Sequence, residues 1–322
     1  MGAHPRDLAL AEARRLAGRA VDKAEQLGLR GAVAVVGASG AIVTASRMDR
    51  GGPGGMARAR SKAWISATQQ IPSAEHLARM TTLPAPISAG FVAASPEALF
   101  PGAGGMPVRD AAGAVVAGIA ASGATVSPFL PDGVPPEALS AAGEPANPED
   151  LLIAYALGVP YAGQHGDDIA RWRVRFGELL VRAEDALGTR PAPPAAAQPE
   201  LYWAVGLADR VIAAAAEAGL SVAVAVVDAG GDPIQLDRMD GAPAASADVA
   251  EATARAAARF GVPSERLAEW YGAAAARLHH APVLAVPGGL PVLADGRVVA
   301  GLGVGGAEPR CCLELAHAAL GP

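Results

Sequence analysis

Three cations fall close together in the first third of the chain, Arg47, Arg58 and Lys62. An arginine fork can hold a carboxylate through two parallel hydrogen bonds. A lysine partly withdrawn from water can become a base or an imine-forming nucleophile as its pKa falls. Lys62 sits in SKAWISAT among Met56, Ala59, Ala63 and Ala67, small neighbours that would let a ligand approach. On a helix it shares a face with Arg58, Ser66 and Gln69, a polar stripe suited to an anion, and points away from Trp64. Lys62 and Arg47 are therefore the candidate catalytic residues. Lys62→Met removes the charge and keeps an unbranched stem, so folding should be little changed while ligand binding or turnover falls. A solvated surface lysine is the alternative.

Other candidates come in pairs. Arg47-Met48-Asp49 recurs as Arg238-Met239-Asp240, each just beyond a strand-like run. These arginines and aspartates either contact a ligand from a loop or satisfy loop backbone. Gly104 and Gly105 in PGAGG recur as Gly288 and Gly289 in PGG, where backbone N–H groups could face an anion or simply make a tight turn. His76, His279 and His280 are candidate iron ligands, since imidazole is a common haem and metal donor. No local spacing builds a metal centre from them. The chain has no GxSxG elbow, no phosphate-binding GxxxxGK[ST] loop and no dinucleotide fingerprint. Its two cysteines, Cys311 and Cys312, are adjacent and make neither a disulfide framework nor a zinc site.

The elements that must position these residues occur twice. VAVVGASGAIVTASRMD (33–49) and VAVVDAGGDPIQLDRMD (224–240) agree at nine of seventeen positions. GGMPV (104–108) matches GGLPV (288–292), and VVAGIAASG (115–123) matches VVAGLGVGG (298–306), in the same order. The chain is a tandem duplication. Each copy reads as an amphipathic helix (6–27; 200–218), a hairpin turning at glycine, a helix (56–70; 244–260), a short helix started at Ser73 or Ser264, a second hairpin, and a last helix (148–158; 308–320). The fold class is α+β: two domains, each an antiparallel sheet flanked by helices, expected to form a pseudo-twofold pair. The first domain spans 1–165 with an insertion at 125–147, a helix and proline-rich linker fill 166–198, and the second domain spans 199–322. A loop as long as the insertion suggests a lid or an interface element.

With 322 residues, 51% apolar and only 4% aromatic, the cores should pack closely through alanine. A formal charge of −6 argues against nucleic acid as a partner. No run of ~18 apolar residues spans a membrane, and no signal core opens the chain. A cytoplasmic protein is expected.

AVVDAGG (225–231), RMDGA (238–242), PGGLPV (287–292) and RVVAGLGVGGA (297–307) together resemble the GlcG/HbpS family. The resemblance covers about 199–322 and, less continuously, 6–124. It implies profilin-like domains that self-associate and bind haem or corrinoid-linked ligands. It also implies a lysine after the RMD loop, present as Lys62 but replaced by Thr253 in the second copy, and a histidine near the domain's N-terminus, where only His4 stands. The hairpin acid is Asp228 in the second copy and Gly37 in the first. The expected function is a binding protein for haem or a related small carboxylate-bearing molecule. A cofactor-independent lyase, isomerase or hydrolase using Lys62, Arg47 and the insertion is the alternative, and an assembly subunit the third.

Overall fold

The computed structural model describes residues 8–26, 28–95, 98–124, 148–159, 201–271, 277–278 and 281–321. The insertion 125–147, the helix expected at 167–187, the linker, His4, His279 and His280 lie outside the described residues.

In the first copy, α1 (Leu10–Gln26) leads into β1 (Ala32–Gly37) and β2 (Ile42–Arg47). Then follow α2 (Pro53–Thr68), α3 (Ser73–Thr81), α4 (Ala85–Ala94), β3 (Gly105–Arg109), β4 (Val115–Ser122) and α5 (Pro148–Leu157). The second copy runs α6 (Leu201–Glu217), β5 (Ala223–Asp228), β6 (Pro233–Arg238), α7 (Ser246–Phe260) and α8 (Arg266–Tyr271). A two-residue pair, β7 (Arg277–Leu278) and β8 (Ala281–Pro282), precedes β9 (Gly289–Ala294), β10 (Arg297–Gly305) and α9 (Pro309–Leu320). The helices and antiparallel strands are those of the expected α+β class, with α4 and β7–β8 as additions. Proline explains why α4 escapes a periodicity search. Its Pro84 and Pro86 read as a turn, yet Pro86 falls in the first helical turn, where no N–H is needed.

The described residues form two compact units, one of 8–41 and 48–159, the other of 42–47 and 201–321. The first carries strands in the order β3-β4-β1, with α2 packed on them and α1 against α5. The second carries β2-β6-β5-β10-β9, with α7 over β10 and β5 and α6 against α9. Strand β2 thus belongs by sequence to the first copy and by packing to the second unit. It pairs antiparallel with β6, Thr44 opposite Asp237 and Ser46 opposite Gln235. Edge strands β3 and β9 each contain a proline, Pro107 and Pro291, which removes a donor where no further strand pairs.

Glycine in β4 and β10 is a packing requirement. A Cβ on Gly118 would lie 2.1 Å from the Ala63 carbonyl oxygen, and one on Gly303 would lie 2.1 Å from that of Ala250. Helices α2 and α7 press directly onto strand backbone there, so alanine-rich helices and glycine-rich strands require each other.

Candidate functional site

Two features of the first unit could meet a ligand, and the loop 98–104 touches both. The first is a groove between α3 and α4 of about 720 Å³, walled by Leu77, Met80, Leu83, Ala89 and Val92 and reaching Pro101. Helix α4, APISAGFVAA, has no charged residue and buries none of its side chains. Ile87, Phe91 and Val92 remain 57%, 39% and 44% exposed. Exposed apolar side chains gathered on one element mark a contact surface more often than scattered ones do.

His76 stands on α3, one turn before Met80, with its ring 5.4 Å from that of Phe91 on α4. It is 5% exposed, and its Nε2 is buried with no hydrogen-bond partner. Burial, helped by the nearby Arg79 charge, holds its pKa below the ordinary imidazole range. The ring is therefore neutral at neutral pH and keeps a nitrogen lone pair. The duplication supplies a comparison: the matching residue of α8 is Leu267, fully buried in an apolar cluster with Ala256 and Val283. A polar ring fills a place that leucine fills equally well for packing.

The second feature surrounds Lys62. Its Nζ donates to Glu149 Oε2 at 2.5 Å, with side chains only 3% and 7% exposed, and lies 3.4 Å from Ser122 Oγ and Ala121 O. The other oxygen of Glu149 accepts from the Gly123 and Ala124 N–H groups at 2.8 and 3.2 Å. The polar stripe read from the sequence omitted the main partner: an anion from the start of α5 pairs with the lysine. In this arrangement Lys62 fastens α5 to α2 and the end of β4. Arg58 adjoins that pair without joining it: its guanidinium is 5.9 Å from the Phe100 ring centre, and its Nε is 3.4 Å from Ser122 Oγ, the hydroxyl that Lys62 also approaches.

The glycine turn does present an N–H to a carboxylate, one from the chain itself. Gly104 N donates to Asp150 Oδ1 at 2.5 Å, and a Cβ there would lie 2.7 Å from that of Glu149. Burial pushes the Asp150 carboxyl up to about 7, against the opposing pull of the Gly104 N–H and the Lys62 charge. Ser61 Oγ accepts from Phe100 N, and Ser73 Oγ donates to Gly102 O, so loop 98–104 is held at three points. Gly105 packs against Ser73, Ser66 and the Lys62 carbonyl. In the second unit Gly289 N donates to Ser264 Oγ at 3.0 Å, and Gly288 and Gly289 leave no room for a Cβ beside Val304 O and Thr253 O.

The two RMD arginines part company. Arg238, 4% exposed, donates to Ile42 O and Ala242 O, the backbone-satisfying alternative. Arg47 pairs with Asp228 Oδ2 at 2.5 Å in the second unit, and so does not share a unit with Lys62. The asymmetry of Gly37 and Asp228 matches this: the arginine facing the acid pairs with it, and the other takes carbonyls. Asp49 is half-buried and Asp240 exposed. Sequence reasoning missed Glu149, Asp150 and Phe100. It also missed a buried network on β2 and β6, in which Thr44 donates to Asp237 at 2.8 Å, Ser46 to Gln235 at 2.7 Å and Gln235 to Asp237 at 2.8 Å. Alternate polar residues, T-x-S and Q-x-D, were its visible signal.

Among the described residues no group of three or more His, Cys, Asp and Glu could hold a metal ion, and no helix is long and apolar enough to cross a membrane. No curated protein matches the chain. Among solved structures, a double mutant of Streptomyces reticuli HbpS is 33% identical over 41% of this chain and 97% of its own, with a TM-score of 0.36. Klebsiella pneumoniae protein ORFY is 25% identical over 41% and 95%, with a TM-score of 0.37. A PduOC:haem complex is 22% identical over 38% and 93%, with a TM-score of 0.35. The model of the haem degrading protein HbpS-like family matches residues 8–127 and again 201–321. The chain belongs to that HbpS-like family and carries its domain twice in tandem.

Proposed function

We propose that the protein binds haem, or a closely related small molecule bearing carboxylates, in its first unit. The observation that carries this reading is His76: a neutral imidazole with an unpartnered, buried Nε2 where the other copy has leucine. A buried polar atom with no partner costs about 1–3 kcal/mol, and a bond to the iron of a haem would satisfy it. Phe91, the ring's aromatic neighbour, is itself part-exposed, on a helix that buries none of its side chains. Haem would supply the iron; His76 would hold it, and the apolar walls of α3 and α4 would exclude water. Family membership supports the ligand class.

Haem titrated into the full chain should give a saturable Soret shift. His76→Leu copies the second unit's own residue, so the fold should be kept, while haem affinity should fall at least tenfold, roughly 1.4 kcal/mol. A wild-type protein with no saturable shift overturns the reading. An unchanged Soret spectrum and affinity in His76→Leu removes His76 from it.

A further inference from the structure

The geometry points to a covalent modification at the Lys62–Glu149 pair: the two side chains condense to an amide that staples α5 to α2. Several requirements of acyl transfer meet there. The nucleophile is in reach, with Nζ 2.5 Å from Oε2. The carboxyl's other oxygen, Oε1, accepts from the Gly123 and Ala124 N–H groups at 2.8 and 3.2 Å, two backbone donors arranged as an oxyanion hole. Water is kept out, since the side chains are only 3% and 7% exposed. The neighbouring Asp150 carboxyl, pushed up to about 7 by burial, is protonated at slightly acid pH. It then adds no second anion beside the lysine.

The step balances without an oxidant or co-reactant. One proton moves from Nζ to Oε2, which turns two buried charges into two neutral groups, a transfer that burial favours relative to water. The Nζ lone pair attacks Cδ, and the charge developing on Oε1 is met by the two N–H groups. A C–N bond forms and the C–Oε2 bond breaks. Oε2 leaves as water, carrying the transferred proton and a second one from Nζ. Fixed juxtaposition supplies effective concentrations of about 10⁵ M or more, which offsets the unfavourable equilibrium of amide formation in water. The ion pair is the resting form, so the amide accumulates over days rather than during folding.

The duplication shows where a staple acts. Residues 306–308 alone join β10 to α9, whereas 123–147 separate β4 from α5. A bond between positions 87 apart restricts the unfolded chain, as a disulfide does. The second copy has Thr253 at the Lys62 position and can form no such bond.

The full chain, held folded and warm at slightly acid pH for several days, should be followed by intact-mass spectrometry under denaturing conditions. A species lighter by one water should grow in. Tryptic digestion of that species should yield one joined peptide containing both Lys62 and Glu149, and it should unfold at a higher urea concentration. Lys62→Arg keeps a cation for Glu149 but offers no amine, so it should stay at full mass while circular dichroism reports the wild-type fold. Wild-type protein that remains at full mass overturns the proposal. So does water loss without the joined peptide, which marks ring closure at Asp132-Gly133 or Asp295-Gly296 instead. A joined peptide that forms equally fast in urea-unfolded chain overturns the part assigned to the folded geometry.

Discussion

Glu149→Ala should destabilise the first unit by about 3–5 kcal/mol, because it leaves the Lys62 ammonium buried without its counter-charge. The Gly123 and Ala124 N–H groups would lose their acceptor in the same step. Lys62→Met should cost a similar amount by stranding the carboxylate, contrary to the small effect on folding that the sequence suggests. Combining Lys62→Met with Glu149→Gln removes both charges, while the amide oxygen still accepts from Gly123 and Ala124. That double variant should lie within about 1–2 kcal/mol of wild type, since neutral replacement of a buried pair is often close to neutral in effect. The second copy already shows the neutral solution. Thr253 stands at the Lys62 position, and Cys312 borders Gly288 as Glu149 borders Gly104. Urea unfolding of wild type, Lys62→Met, Glu149→Gln and the double variant gives the coupling directly. Single-variant costs that simply add in the double would show that the pair is not an energetic unit.

The duplication and the element order were legible because glycine and β-branched runs recur at matched spacing, and because packing imposes them. Gly118 and Gly303 are fixed by helix carbonyls 2.1 Å from where a Cβ would sit, and so is the alanine richness of α2 and α7. Lys62 stood out as the lysine of an alanine-rich helix, on one face with Arg58 and Ser66. Its partner did not. Glu149 lies 87 positions away, beyond the insertion, and nothing in NPEDLL distinguishes it from an ordinary acidic first turn. Arg47 was legible as a functional type but not in its contact, since Asp228 is 181 positions on and reaches it only because β2 pairs with β6. Helix α4 was hidden because its prolines read as a turn and its uniformly uncharged, mostly apolar sequence, APISAGFVAA, carries no amphipathic period.

Asp150 should make the first unit lose stability as pH rises, the reverse of the usual behaviour of a paired carboxylate. Its carboxyl, ordinarily near 3.8, is pushed up to about 7 by complete burial. Below about pH 4 the group is protonated whether the chain is folded or not, and it contributes nothing to the pH dependence. Between about pH 4 and 7 the unfolded chain releases the proton while the folded chain keeps it, so stability falls by up to about 1.4 kcal/mol per pH unit. Above pH 7 the cost is constant, at most about 4 kcal/mol. The first turn of α5 favours negative charge through the helix dipole, and the Gly104 N–H and Lys62 act in the same direction; together they keep the group from moving further. Asp150→Asn retains an oxygen for the Gly104 N–H but cannot ionise. The stability of this variant minus that of wild type should therefore be near zero at pH 4, grow steadily to pH 7 and level off above it. Taking this difference cancels the titration of every other carboxylate. Urea unfolding curves at pH 4, 5.5, 7 and 8.5 measure it, and a difference that stays flat across them would mean that Asp150 is already ionised throughout in the folded protein.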